Sequence, residues 1–155
     1  VRYNETLVRC IGKNGQGSRS MLLSADDSIA AMLAIDAEAD PSILVITESG
    51  KGKKTSASEY RSTAGRSVKG QRTINHHKRE TTGKIVSALA LNDSDDILVL
   101  TNKGKMMRCN LDSLRNKSKA TQATTIVALD DNDLVQTAVV VPYVGESESE
   151  EEFTE

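Results

Sequence analysis

The sequence predicts an all-β protein built from propeller-like blades, each about 53 residues long. Short apolar runs of four to eight residues recur between clusters of Gly, Asp, Asn and Ser, which is the pattern of strands and turns. The chain also aligns with itself at a constant spacing, which indicates a repeat architecture. Strands this short, in repeats of this length, are typical of propeller blades or of a β-solenoid.

Two gap-free alignments define the repeat. Residues Ile43–Arg61 align with Ile97–Arg115 at an offset of 54, with seven identities in nineteen positions. Residues Val1–Ile35 align with Met107–Val141 at an offset of 106, which is two periods. We therefore expect residues 1–145 to form about three repeat units of a partial ring.

Each apolar run is predicted to be a strand because it is rich in Leu or β-branched residues and ends at turn residues. Ile29–Ile35 is Ala-rich and has helical propensity, but seven residues between turn signals favour a strand. Ser49-Gly50 and Lys103-Gly104 predict hairpin turns. The predicted strands, in chain order, are Ser20–Leu23, Ile29–Ile35, Ile43–Thr47, Ile85–Leu91, Ile97–Thr101, Thr125–Leu129 and Leu134–Val141.

The net charge of −2 conceals a strong segregation of charge along the chain. Nine basic residues and one acid lie between Lys51 and Arg79, and six basic residues and one acid lie between Lys103 and Lys119. The acids gather in other turns, such as Asp93–Asp96 and Asp130–Asp133. Equivalent positions of a repeat array lie on the same face. The pattern predicts one basic rim, with the Asp turns on a different edge; the alternative is that these loops are only solvated.

The last ten residues, Glu146–Glu155, form a separate acidic tail with six acids and no base. Without them, 20 basic residues face 16 acids, so the body carries a charge of +4. The tail lacks apolar periodicity, and we expect it to be disordered. Placed beside a basic rim, it would compete with phosphates for the same side chains.

Several kinds of chemistry are disfavoured by the sequence. Lys51–Thr55 contains Gly-Lys but fails the spacing of a phosphate-binding loop. The adjacent pair His76-His77 points to opposite faces of an extended chain and cannot serve one site there. Cys10 and Cys109 lie far apart without a CxxC motif, which is typical of reduced cytosolic thiols. Tyr60 aligns with Leu114 and is interpreted as a core residue rather than a nucleophile, and the Asp pairs are interpreted as turn formers rather than metal ligands.

A resemblance to a known family covers nearly all of the chain before the acidic tail. Residues 43–55, Ser58–Arg61 and Gly65–Gly70 resemble the C-terminal domain found in the gyrase A family of DNA topoisomerases, which includes the topoisomerase IV counterpart. The family's loop signature, roughly Gly-Arg-Asn-x-Gln-Gly-Val-Arg, is echoed by Gly12–Arg19 and is eroded at Ser118–Thr125. The gyrase box, Gln-Arg-Arg-Gly-Gly-Lys-Gly, is not present intact.

The resemblance implies a β-pinwheel, a propeller-like ring whose blades exchange strands and carry duplex DNA around a basic perimeter. Wrapping of this kind needs many phosphate contacts and little reading of bases. The residues we expect to contact DNA are Lys13, Arg19, Lys51, Lys53, Lys54, Arg61, Arg66, Lys69, Arg72, Lys103, Lys105, Arg108, Arg115, Lys117 and Lys119.

The same resemblance implies a place within a larger enzyme, of which this chain is a fragment. On this resemblance, we expect the module to steer strand passage and supercoiling in an ATP-dependent type II topoisomerase, gyrase rather than topoisomerase IV. The chain itself is expected to carry no catalytic residue, no metal and no cofactor; ATP and Mg belong to the parent enzyme, as does the gyrase B protein. We expect a cytoplasmic location and no membrane partner. The alternative function is a protein-interaction module whose basic face binds an acidic partner.

Overall fold

A computed structural model describes residues 1–36, 38–75, 82–119 and 121–143. These residues contain seven β-strands and two short 3-10 turns, at Glu5–Leu7 and Ala57–Glu59. All pairing between the strands is antiparallel, which confirms the prediction of an all-β protein. The strands are β1 (Ser42–Thr47), β2 (Lys51–Ser56), β3 (Ile85–Leu91), β4 (Asp96–Thr101), β5 (Met106–Cys109), β6 (Thr124–Thr125) and β7 (Val135–Val141).

The first blade is a four-stranded sheet with the order β3-β1-β2-β6. Strands β1 and β2 form a hairpin in which Val45 lies opposite Lys53, and its turn contains Gly50 at φ 72°. Strand β3 pairs with the other side of β1, and β6 pairs with Lys51 and Gly52 at the edge of β2. The first blade therefore combines strands from all three repeat units.

The second blade is a three-stranded sheet with the order β5-β4-β7. Its β4–β5 hairpin repeats the β1–β2 hairpin and has Gly104 at φ 78° in its turn. Strands β3 and β4 are joined by the short turn at residues 92–95, yet they belong to different blades. The blades are thus connected by exchange of strands, as the resemblance implies.

The main hydrophobic core joins the two blades. Leu44 and Ile46 of β1 pack in one cluster with Ile97 and Val99 of β4 and with Val135 of β7. Because strands of both sheets contribute fully buried side chains to this cluster, the two sheets share one core.

The outer faces of the two blades differ in how well they are covered. In the first blade, Ile43 and Val45 form a second cluster with Ala57, against which Tyr60 packs. Tyr60 is therefore a core residue, as predicted. In the second blade, the corresponding outer face is open, and Val139 is 51% exposed there. The first blade is therefore buried on both faces and the second on one.

The strand predictions are confirmed for the runs that form β1, β3, β4 and β7, and both predicted hairpin turns are present. The run Thr125–Leu129 is only partly correct, because strand pairing is limited to Thr124–Thr125. Two predicted strands, Ser20–Leu23 and Ile29–Ile35, are wrong: neither forms a strand in the structure. Ile29–Ile35 aligns with the run that forms β7, and the side of β1 and β4 on which such a run pairs is already occupied by β3 and β7.

Among the residues that the structure describes, no helix has the length and apolar character that a membrane span requires.

Candidate nucleic-acid interface

Five basic residues from different parts of the chain lie on or beside strand β2, near the edge of the first blade. Backbone hydrogen bonding brings the third repeat unit to this edge, because the N–H of Lys117 donates to the carbonyl oxygen of Lys54 at 2.8 Å. The long connection between β2 and β3 contributes Arg61 and Arg72, and Lys119 lies two residues after Lys117 in the connection between β5 and β6. We call this set the basic patch; it consists of Lys54, Arg61, Arg72, Lys117 and Lys119.

Gln71 holds the two sides of the basic patch together. Its amide donates to the carbonyl oxygen of Arg61, and its Oε1 accepts the backbone N–H of Arg61 at 3.1 Å. The same Oε1 accepts from Nζ of Lys119 at 3.1 Å, and Lys119 also donates to the carbonyl oxygen of Glu59. One neutral side chain thus orders basic residues from two repeat units, and the patch contains the acid Glu59 at its border.

A second basic group lies along the loop Gly65–Gly70. The guanidinium of Arg66 donates to the carbonyl oxygen of Arg19 at 3.2 Å, and backbone bonds pair this loop with residues 20–22. Lys69 is exposed on the same loop. The structure therefore brings together the two segments that resemble the family's loop signature, Gly12–Arg19 and Gly65–Gly70.

The basic residues of the second blade are largely paired with acids. Lys105 forms an ion pair with Asp130 at 3.3 Å, and Arg108 forms one with Asp96 at 2.7 Å. Lys103 donates its ammonium to the carbonyl oxygen of Asp131 at 2.6 Å. The expectation that the Asp turns lie on a different edge from the basic loops is therefore wrong for this blade, because its acidic turn packs directly on its Gly-Lys turn.

Lys53 is not a surface residue, which corrects its assignment as a DNA contact. Its side chain is completely buried. The ammonium donates to the carbonyl oxygens of Thr73, Ser118 (3.2 Å) and Lys119 (2.7 Å). Burial, with a further contribution from the positive charge of Lys117, lowers the pKa of Lys53 below its ordinary value. A phosphate cannot reach this ammonium while the surrounding loops are in place.

The other residues expected to bind DNA remain predictions. Lys13 and Arg115 are exposed, and Lys51 is half-buried at the start of β2. The pair His76-His77 and the acidic tail Glu146–Glu155 lie outside the described residues. The sequence analysis missed Gln71, and its spacing to Arg61 and Lys119 carries no signal that could have identified it.

The strand-exchanged antiparallel blades, with a basic patch along one edge, define a propeller-like repeat domain. A family model described as "DNA gyrase C-terminal domain, beta-propeller" matches residues 1–36, 41–92 and 95–142. The chain belongs to this family, which confirms the resemblance seen in the sequence.

Curated relatives with similar sequences are the A subunits of DNA gyrases. The chain is 28% identical over 147 residues to the gyrase A protein of Haloquadratum walsbyi, covering 95% of the chain and 17% of that protein. It is 30% identical over 141 residues to the gyrase A protein of Staphylococcus epidermidis, covering 91% of the chain and 16% of that protein. The chain thus spans about a sixth of the length of these relatives.

Two solved structures share the fold. The C-terminal domain of DNA topoisomerase IV superposes with a TM-score of 0.80 at 24% identity, covering 90% of this chain and 42% of the other. The DNA gyrase A C-terminal domain superposes with a TM-score of 0.71 at 24% identity, covering 88% of this chain and 45% of the other. The matches cover 88% and 90% of this chain, so its two blades have the β-pinwheel fold of these domains.

Proposed function

We propose that this chain binds duplex DNA through its phosphates and bends the duplex along the first blade, as a DNA-wrapping module of a gyrase-type topoisomerase. The observation that carries the proposal is the basic patch, in which residues from two repeat units converge beside β2. Patches of this kind attract the phosphate backbone whatever the base sequence. The sequence of the bound DNA is therefore expected to matter little.

The first blade offers enough basic side chains for phosphate contacts to offset the free-energy cost of bending a duplex. The basic patch and the group formed by Arg19, Arg66 and Lys69 together offer eight positive charges. With about 0.9 counterions released per contact, eight contacts give a slope of about −7 for log affinity against log salt. Bending a site of 20–30 base pairs by 40–90° costs about 1–6 kcal/mol, which several charge-assisted contacts can offset.

The first blade carries most of this binding in the proposal. Lys105 and Arg108 already have carboxylate partners, so a phosphate that approaches them also meets the negative charge of Asp130 or Asp96. The basic patch carries no such ion pair among the described residues, although Glu59 lies at its border and Lys54 lines a pocket that Asp93, Asp95 and Asp112 also line. The two blades are thus alike in fold and unequal in available positive charge.

Within the parent enzyme, the proposed role is accessory. A bent segment held on the first blade would be directed toward strand passage, which other parts of the enzyme perform with ATP and Mg. Association with gyrase B and a cytoplasmic location follow from membership of that enzyme and are proposed on the same basis.

A titration of a random-sequence duplex, followed by fluorescence anisotropy across a salt series, tests the proposal. We expect affinity to fall steeply with salt. The double variant Arg61→Gln/Arg72→Gln should lose two phosphate contacts, which lowers the magnitude of the slope of log affinity against log salt by about 1.8. The matched variant Lys105→Gln/Arg108→Gln should lower it by less, because those cations are paired.

Two results would contradict the proposal. Affinity that does not change with salt would exclude phosphate contacts as its source. Binding of polyglutamate in preference to duplex DNA would favour the alternative, a module for an acidic protein partner.

A further inference from the structure

Lys53 occupies a position that no surface role explains. It lies on β2, the strand beside the basic patch, and its side chain is fully buried among the loops that carry the patch. Its neighbours Gly52 and Lys54 fit the strand in the ordinary way, one facing Ile46 and the other facing Leu44 in the hairpin register. The burial of an ammonium group here needs a reason.

The three acceptors of the Lys53 ammonium belong to two separate loops. Thr73 lies in the long connection between β2 and β3, whereas Ser118 and Lys119 lie between β5 and β6. These loops come from different repeat units and are 45 residues apart in sequence at their nearest acceptors, Thr73 and Ser118. One side chain therefore fastens both loops to β2.

Carbonyl dipoles, rather than a carboxylate, compensate the buried charge. In the described part of the chain, the ion pairs are Lys105–Asp130 and Arg108–Asp96, both in the second blade. Three carbonyl oxygens satisfy the three N–H bonds of the ammonium. Desolvation and the nearby charge of Lys117 oppose this arrangement and lower the pKa of Lys53. The group is held in place by hydrogen bonds that only a well-ordered pair of loops can supply.

The repeat shows that the sheet itself does not require a lysine here. Met107 is the equivalent of Lys53 at the offset of 54, and it packs half-buried against the core of the second blade. An apolar side chain of similar length thus satisfies the same position of the hairpin. The difference between the blades lies in the loops, since it is the first blade that bears the basic patch.

We propose that Lys53 is a positioning residue for DNA binding: without touching phosphate, it fixes the backbone segments that present Arg72, Lys117 and Lys119. This inference rests on the proposed function of the basic patch. Arg72 directly precedes the acceptor Thr73, and Lys119 is itself an acceptor. Loss of the ammonium would therefore remove a shared support from three cations at once, and leave Lys117 held by its backbone bond to Lys54 and Lys119 by Gln71 and Glu59.

The substitution Lys53→Met, which is the residue used by the second blade, provides the test, with Lys54→Met as the matched control. Both remove one positive charge from β2. We expect Lys54→Met to remove about one phosphate contact, which lowers the magnitude of the salt slope of duplex binding by about 0.9. Lys53→Met should lower it by the equivalent of two or three contacts. Hydrogen exchange should accelerate at residues 71–75 and 117–119 in Lys53→Met and stay unchanged in β1.

A measurement on the unmodified chain keeps the test independent of the variant's folding. A buried, hydrogen-bonded ammonium exchanges its protons slowly, so the NH₃⁺ group of Lys53 should give a protected ¹H–¹⁵N signal and that of Lys54 should not. Equal exchange at the two ammonium groups would overturn the inference, as would a salt slope for Lys53→Met no lower than that of Lys54→Met. Failure of the unmodified chain to bind duplex DNA would instead overturn the proposed function.

Discussion

Gly50 and Gly104 take the same left-handed conformation in the two hairpin turns, but their surroundings differ. Both have positive φ, at 72° and 78°. A methyl group on Gly50 would meet the carbonyl oxygen of Val127 and the side chain of Leu129, whereas one on Gly104 would meet no atom within 4 Å. Substitution of Gly104 by Ala would therefore introduce backbone strain alone, whereas substitution of Gly50 would add steric crowding.

We expect Gly104→Ala to destabilise the fold by about 1–2 kcal/mol, the cost of a left-handed non-glycine residue. Gly50→Ala should add about 1–3 kcal/mol for overpacking against the third repeat unit. Urea unfolding followed by circular dichroism measures both. Equal losses would show that residues 127–129 do not pack on the first turn.

Asp133 links pH to stability at the turn of the second blade. Burial alone would raise the pKa of its carboxyl group, but the nearby Thr101 side chain, the hydrogen bonds from the backbone N–H groups of Leu134 and Lys103 and the positive charge of Lys103 outweigh this effect, and the pKa is lowered. A carboxyl group with a lowered pKa in the folded state stabilises the protein at pH values above its unfolded pKa of about 3.9. That contribution is lost as the pH falls through the folded pKa.

The stability of the chain should therefore decline as the pH is lowered below about 4, and Asp133→Asn should flatten this decline. Urea midpoints measured between pH 7 and pH 2.5 provide the check. Asp131→Asn is the control, because Asp131 is exposed and uses its backbone carbonyl to contact Lys103. An unchanged acid profile in Asp133→Asn would contradict the assigned hydrogen bonds.

The sequence could reveal the basic residues but not the buried one among them. Lys51, Lys53 and Lys54 stand within four positions, and nothing in their types distinguishes them. The burial of Lys53 depends on carbonyl groups 20 and 65 residues away, which local periodicity does not contain. The same limitation applies to Asp130, whose contact with Lys105 depends on how one turn packs on another.

At the level of strands, two runs with the same strand-like sequence pattern differ in whether they pair, because only one of them has a partner strand among the described residues. Ile85–Leu91 and Ile29–Ile35 have similar composition and length, and the sequence predicts a strand for both. The first pairs with β1, whereas the corresponding sides of β1 and β4 are already taken by β3 and β7, and the second is unpaired in the described chain, with Met32 89% exposed. A strand pattern predicts the capacity to pair, and the rest of the chain decides whether pairing occurs.

Leu44 and Leu98 are repeat equivalents that test how the blades are covered. Leu44 is completely buried between the blades, while Leu98 is half-buried on the outer face of the second blade. We expect Leu44→Ala to cost about 2–5 kcal/mol. Leu98→Ala should cost about 1 kcal/mol, because less apolar area is removed from contact. Chemical denaturation of both variants measures the difference, and equal losses would mean that the outer face is also covered in solution.

At the scale of the whole molecule, the charge is divided between a basic body and the acidic tail Glu146–Glu155. Deletion of the tail should tighten duplex binding several-fold at low salt, since six carboxylates then cease to compete with phosphates. The gain should disappear at high salt, where such competition is screened. A variant with the six glutamates changed to glutamine should match the deletion. Unchanged or weaker binding after deletion would contradict a competing role.

During synthesis of the chain, strand β2 is made long before β6, the strand that pairs with its outer side. Its partner at the sheet edge, β6, lies about 70 residues further along the chain, and one of the two loops that bind the Lys53 ammonium, at Ser118 and Lys119, is made only shortly before β6. An unpaired edge strand invites pairing with other chains, and lysines on the edge discourage it. The charges of Lys51, Lys53 and Lys54 would thus prevent β2 of one nascent chain from pairing with strands of neighbouring chains on the same polysome. The same lysines would act twice: against aggregation during synthesis, and in ordering the basic patch after folding.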